Sequence, residues 1–199
     1  MNHYKNLKKP KKISWLEHWQ SEDYMSSREV NYNVIKDYIQ IHPKNILDIG
    51  CGLAIESEFF QKEFNSELFL IDGDSTTTKG KPRYNKYGPL EDFQFYNKIE
   101  DLKEHYNDRG LRYKFYDFNN LDKDYDFGLK FDLIYSNLSC GFHYPATTYK
   151  TLIENNSDEN TILIMDFQKN SLDQQTQDID ILNTISESNT TIKLHIRFK

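Results

Sequence analysis

Thiols are scarce in this chain. Of its 199 residues only Cys51 and Cys140 are cysteine. One distant pair makes no disulfide framework, and neither residue lies at a metal-ligand spacing. Both read as reduced thiols of a cytoplasmic protein. Long apolar runs are missing too. None approaches the roughly 20 residues of a membrane span, and the N-terminus lacks the apolar stretch of a signal peptide, so no membrane partner is expected. Nor is there an excess of positive charge. A formal net charge of -6, with 28% of residues charged, argues against a general nucleic-acid binder, which needs a basic face.

What the chain does have is aromatic mass: 14 Tyr, 13 Phe and 2 Trp can fill a core although only 37% of residues are hydrophobic. The length suits one domain. We expect a basic, disordered tail over residues 1–12 and a single domain over 13–199. The lysines of the tail read as solvated or as a phosphate-binding arm. Capping boxes at Ser14/Glu17 and Ser26/Glu29 predict two opening helices, the second ending before Pro43. Strands are predicted at 45–49, 68–71, 113–116, 131–136 and 161–167. Helices follow Gly52, Asn97 and Pro145, a weak one includes Ile179, Ile181 and Leu182, and a last strand runs over 192–198. Residues 75–95 form a long polar loop, of the kind that is usually functional. Strands alternating with helices predict an α/β fold with a mostly parallel sheet and helices on both faces.

The most informative segment is Asn45-Ile-Leu-Asp-Ile-Gly-Cys-Gly52. A buried strand ends on glycines spaced i, i+2 and opens a helix, which is how α/β proteins bring backbone N–H groups to a nucleotide-like ligand. Ligands in such sheets sit beyond the carboxyl ends of the strands. The residues there form a consistent set: Gly50, Cys51 and Gly52, then Asp72-Gly73, Asp117-Phe118, and Ser136-Asn137. Asp72 can accept bonds from two ribose hydroxyls. Asp117 and Phe118 can hold and cover an adenine, or Asp117 is a helix cap. The dinucleotide fingerprint G-x-G-x-x-G fails, because Ile55 stands at its third glycine.

An acid two residues before G-x-G is the competing pattern, and Asp48-Ile-Gly-Cys-Gly52 matches it. Here the sequence resembles the class I S-adenosylmethionine-dependent methyltransferases over most of its length. The resemblance implies a Rossmann-like, doubly wound, three-layer α/β/α fold with strand order 3-2-1-4-5 plus an edge strand, and S-adenosyl-L-methionine as cofactor. It implies that Asp48 orients the amino group, Asp72 takes the ribose, Asp117 the adenine amino group, and that Ser136 and Asn137 flank the sulfonium. Two departures stand out. Ala54 replaces the third motif glycine, tolerable at a negative φ, and only six of the family's seven strands are evident.

The string Ser136-Asn-Leu-Ser-Cys-Gly-Phe-His-Tyr-Pro145 follows strand four and should overhang the cleft. It resembles that of small bacterial and phage-type sugar O-methyltransferases. This implies a small hydroxylated acceptor, a sugar or nucleotide-sugar. His143 is the titratable group there, either a catalytic base or a cap of the helix that Pro145 starts. The Asn-Pro-Pro-Tyr signature of N-methyltransferases is absent, as is an acidic metal cluster, so a metal-free enzyme is expected. A non-catalytic cofactor-binding relative and a methyltransferase of a macromolecule are the alternatives.

Overall fold

In the computed structural model of the protein, the described residues are 13–75, 95 and 97–199. The expected basic tail and most of the polar loop, with Lys79, Lys81, Arg83 and Lys86, lie outside them.

Helices α1 (Trp15–Trp19) and α2 (Glu22–Ile39) precede an alternation of strands and helices: β1 (Asn45–Ile49), α3 (Ile55–Phe64), β2 (Glu67–Asp72), α4 (Ile99–Asp108), β3 (Tyr113–Asp117), β4 (Leu133–Ser136), α5 (Lys150–Asn155), β5 (Ile162–Gln168), α6 (Leu172–Gln175), β6 (Ile179–Glu187) and β7 (Thr191–Phe198). Among the described residues the sheet has seven strands in the order β3-β2-β1-β4-β5-β7-β6. The first five run parallel to one another, and β7 runs antiparallel to both β5 and β6. The chain order reverses between β1 and β4, so the strand ends there flank a crevice.

Side chains alternate across each strand, and the core divides accordingly. Ile46, Leu68, Leu70 and Leu133 pack with Tyr32, Ile35, Phe60, Leu102 and Tyr106, which places α2, α3 and α4 on one face. Leu47, Ile49, Phe69 and Ile71 pack with Phe131, Leu152, Ile153 and Met165 on the other. The second face relies on aromatic edges: Phe127 stands at 4.8 Å from Tyr116, 5.3 Å from Phe131 and 5.6 Å from Phe69. These edge-to-face contacts add to the burial of apolar area.

The expected fold stands, with four local corrections. The weak helix around Ile179, Ile181 and Leu182 is the strand β6, so the seventh strand missing from the sequence reading is present. As an edge strand β6 is mostly exposed, and register shifts at Ile181/Asn183 and Thr184/Ser186 break the period of two that marks a strand. Ser26 lies inside α2. The cap is Ser21, whose hydroxyl accepts from the Tyr24 amide, and Glu22 and Asp23 face the positive end of the helix. The Ser14/Glu17 box closes as its spacing predicts. Lys98 rather than Asn97 precedes α4. Pro145 opens a 3-10 turn, Ala146–Tyr149, that runs on into α5.

Phe60 is fully buried, its ring edge-on to Tyr32 at 4.7 Å and tilted against Tyr135 at 6.1 Å. Phe60→Ala is expected to lower stability by about 3–5 kcal/mol in urea denaturation, through lost transfer energy and the cavity left behind.

Candidate functional site

The turn after β1 is held from three sides. Gly50 and Cys51 both donate their amides to the Ile71 carbonyl, at 2.8 and 3.1 Å, which locks the turn onto the end of β2. The Asp72 carboxylate accepts the Gly52 amide at 2.6 Å and the Gly73 amide at 2.7 Å. From α4, the Tyr106 hydroxyl donates to the Gly52 carbonyl and lies 3.3 Å from Cys51 Sγ. Burial raises the Cys51 thiol well above its ordinary pKa, so it is no thiolate. Loss of hydration drives Asp72 up to about 6 against the pull of its two amide bonds, and Asp117 on the neighbouring strand adds to the rise.

Gly50, Gly52 and Ala54 all take left-handed backbone, with φ of +70, +50 and +50°. Ala54 therefore does not have the negative φ expected of a tolerated alanine. It takes a backbone conformation that favours glycine, at a cost of about 1–2 kcal/mol. Its amide donates to Cys51 at 2.7 Å, and α3 starts directly after it without a side-chain cap.

Three side chains stand where Cβ atoms of these glycines would project. At Gly52 that place is 3.2 Å from the Trp19 ring, which stacks on Tyr24. At Gly73 it collides with the ring of Phe95, which in turn tilts against Phe118 at 5.7 Å. At Gly50 it collides with Ser139. Sequence reasoning gave none of the three a role. Trp19 read only as part of the first helix, and Phe95 and Ser139 only as parts of the strings that carry the family resemblance. Trp19, Phe95 and Ser139 thus abut the glycines at the ends of β1 and β2.

Asp48 lies behind the turn, buried on the α3 side. Its Oδ2 accepts from Ser57 at 2.8 Å and from Tyr135 at 3.0 Å, and these two hydroxyls also contact each other. Desolvation pushes it up to about 8, opposed by the Ser57 bond and reinforced by nearby Glu56. Asp117 caps the 3-10 turn Phe118–Asn120, accepting the Asn119 amide at 3.0 Å and the Asn120 side chain at 2.7 Å. Phe118 packs edge-on to Tyr149 at 5.6 Å. Ser136 is fully buried, donating to the Ile49 carbonyl at 2.7 Å and accepting the Cys140 amide at 2.8 Å. It ties the loop after β4 to the end of β1 from within the protein. Asn137 accepts from Lys193 at 2.7 Å.

The loop beyond Asn137 folds back over Gly50. Ser139 Oγ and the Tyr144 hydroxyl are 2.8 Å apart, and the place of a Gly50 Cβ is 3.5 Å from that hydroxyl. His143 is exposed, its ring edge-on to Phe142 at 5.0 Å. Lost hydration still lowers its pKa, so it is neutral at pH 7. Tyr144, by contrast, is a phenol held well above its ordinary pKa by burial. The structure thus brings Asp72, Gly73, Ser139 and Tyr144 around the glycine turn, and sets His143 outward. Among the described residues no three His, Cys, Asp or Glu side chains cluster as a metal site, and no helix is long and apolar enough to cross a membrane.

Two outcomes are expected. Gly128 shares the positive φ of Gly50 but has open space where a Cβ would go. Gly128→Ala should cost about 1–2 kcal/mol, and Gly50→Ala about 1–3 kcal/mol more for displacing Ser139, both read by denaturant titration. The raised pKa of Asp48 means that the native state keeps a proton the unfolded chain has given up, so stability falls as pH rises from about 4 to about 8. Asp72 shares that sign only to about 6. The lowered histidines His105, His143 and His195 act oppositely, below their ordinary 6.5. Between pH 6.5 and 8 the wild-type protein should lose up to about 1.4 kcal/mol per pH unit, and Asp48→Asn should flatten that slope in denaturation series at each pH.

No family model matches the sequence, and none of the curated proteins does. Solved structures do. A ribosomal protein L11 methylase from Lactobacillus delbrueckii subsp. bulgaricus is similar with a TM-score of 0.59 and 13% identity, over 90% of this chain and 80% of that one. The PH0226 protein from Pyrococcus horikoshii OT3 gives 0.63 and 12%, over 90% and 93%. The plantazolicin methyltransferase BpumL, solved with SAH, gives 0.53 and 16%, over 80% and 54%. At these identities the likeness is one of fold.

Proposed function

We propose that the protein is an S-adenosylmethionine-dependent methyltransferase of a small hydroxylated acceptor, a sugar or nucleotide-sugar. The observation that carries this reading is the Asp72 carboxylate seated on the Gly52 amide, beside a left-handed glycine turn at the switch point of the sheet. That donor set fits an adenosyl ligand: a carboxylate with lone pairs left over for ribose hydroxyls, and a turn whose backbone can be approached closely. Methylating enzymes on the same fold, one of them solved with SAH, support the same reading.

The backbones of Gly50, Cys51, Gly52 and Gly73 would line the cofactor. Asp72 would accept from its ribose, Asp117 and Phe118 would border the adenine, and Asp48 would act from behind the turn on the amino group. Ser136 would shape the cleft by holding the loop, with Asn137 beside the sulfonium. The bound cofactor supplies a methyl group on a good leaving group, ready for in-line attack. The chain must align the acceptor hydroxyl and take its proton. His143, neutral at pH 7, can accept that proton once an acceptor lies over the loop. The seventh strand speaks against a non-catalytic relative, whereas the left-handed Ala54 keeps the other ground for one. The basic tail, the ground for a macromolecular acceptor, lies outside the described residues.

Calorimetry with S-adenosylhomocysteine is expected to show binding. Asp72→Ala should weaken it by about 10- to 100-fold, the worth of charge-assisted bonds to two hydroxyls. No heat at millimolar ligand would sink the reading. In a labelled-cofactor screen of sugars and nucleotide-sugars, His143→Ala should lower turnover by about 10²–10⁴ with affinity for S-adenosylhomocysteine unchanged. Normal turnover would leave His143 a loop residue only.

A further inference from the structure

Lys193 and Asp166 form an ion pair in which both side chains are fully buried, Nζ to Oδ1 at 2.9 Å. They are cross-strand partners, Asp166 on β5 and Lys193 on the antiparallel β7. Taking two charges out of water costs more than their attraction commonly returns, so replacing the pair with apolar groups would be no loss to stability. What the pair holds is the loop leaving β4. Lys193 donates a second bond to Asn137 Oδ1 at 2.7 Å, and Asp166 Oδ2 accepts the Leu138 amide at 3.1 Å. Leu138 sits at a φ of +53°, a conformation that a bulky side chain takes only when its surroundings impose it.

The chemistry of Lys193 fixes the orientation of Asn137. An ammonium group only donates, so the amide must turn its oxygen to it and keep its nitrogen on the other side. That Nδ2 is buried and has no acceptor among the described residues. Buried donors are rarely left unmet. This one lies just past the carboxyl end of β4, beside the switch point where this fold takes ligands.

We propose that Lys193 is a positioning residue: paired with Asp166, it holds the Asn137 amide so that its N–H group donates to an oxygen of the bound cofactor. The proposal rests on the methyltransferase reading for the identity of that ligand. The orientation of Asn137 stands on the geometry alone.

A double-mutant cycle tests it. Affinity for S-adenosylhomocysteine is measured for the wild type, Asn137→Ala, the paired variant Lys193→Met with Asp166→Asn, and all three changes together. The paired variant leaves no lone buried charge, and Asn at 166 can still accept the Leu138 amide, so its melting temperature should stay near that of the wild type. Its affinity should nonetheless fall about tenfold, as should that of Asn137→Ala, and the triple variant should bind no more weakly than Asn137→Ala. Wild-type affinity in the paired variant, or losses that multiply in the triple one, would overturn the proposal. So would an affinity that simply tracks melting temperature. If the wild type does not bind S-adenosylhomocysteine, the methyltransferase reading fails and the ligand with it. The orientation is then judged from the Asn137 side-chain amide signals in NMR. These should be dispersed and slow to exchange in the wild type and collapse to solvent-exposed values in the paired variant. Unchanged signals would overturn it.

Discussion

The Asp72 carboxylate on the Gly52 amide is the contact around which this molecule is organised. It joins the ends of β1 and β2 while the Ile71 carbonyl takes the amides of Gly50 and Cys51. Together these bonds hold the turn in left-handed backbone at positions 50, 52 and 54, and so set where α3 can start. A carboxylate that binds backbone amides on one side keeps acceptor capacity on the other. The same group that builds the turn can therefore serve a ligand. Its pKa is shifted upward by a place poor in water and by nearby Asp117, against the pull of the two amides.

The two faces of the sheet are held differently. On the side of α2, α3 and α4, charged and polar groups reach inward. Glu56 meets Arg28 and Asn31, Glu58 meets Arg109 and Lys62, and Asp48 meets Ser57 and Tyr135. These contacts orient the helices that back the glycine turn. On the opposite side the cluster of Phe69, Tyr116, Phe127 and Phe131 fills space with ring edges and asks for little hydrogen bonding. The loop after β4 is held by hydrogen bonds. Ser136 binds it to β1, Gln168 donates to the Phe142 carbonyl, and Gln175 bridges Gly141 and Ala146. Such a loop presents Ser139 and Tyr144 from a rigid base, which suits an aligning role.

Much of this was legible in the sequence because it is local. The apolar strands, the alternation with helices and the Asp48 to Gly52 turn are written in contiguous residues. The C-terminal edge was not. The two bulges of β6 scramble its alternation, and most of its side chains face solvent. The cap of α2 was misplaced because the spacing of Ser26 and Glu29 is also what an exposed mid-helix face offers. The φ of Ala54 was not legible, because its neighbours rather than its identity impose it.

By itself, the sequence determined the parallel core of the sheet, the turn that ends β1 and the acids at the ends of β2 and β3. Only the tertiary structure decided what covers that turn and what steers it: Trp19 on Gly52, Phe95 on Gly73, Ser139 over Gly50, and Lys193 on Asn137 across 56 residues of chain. The reason is physical. Backbone conformation and burial pattern follow from near neighbours, whereas a buried charge or an unmet donor takes its meaning from groups that meet only once the sheet has assembled.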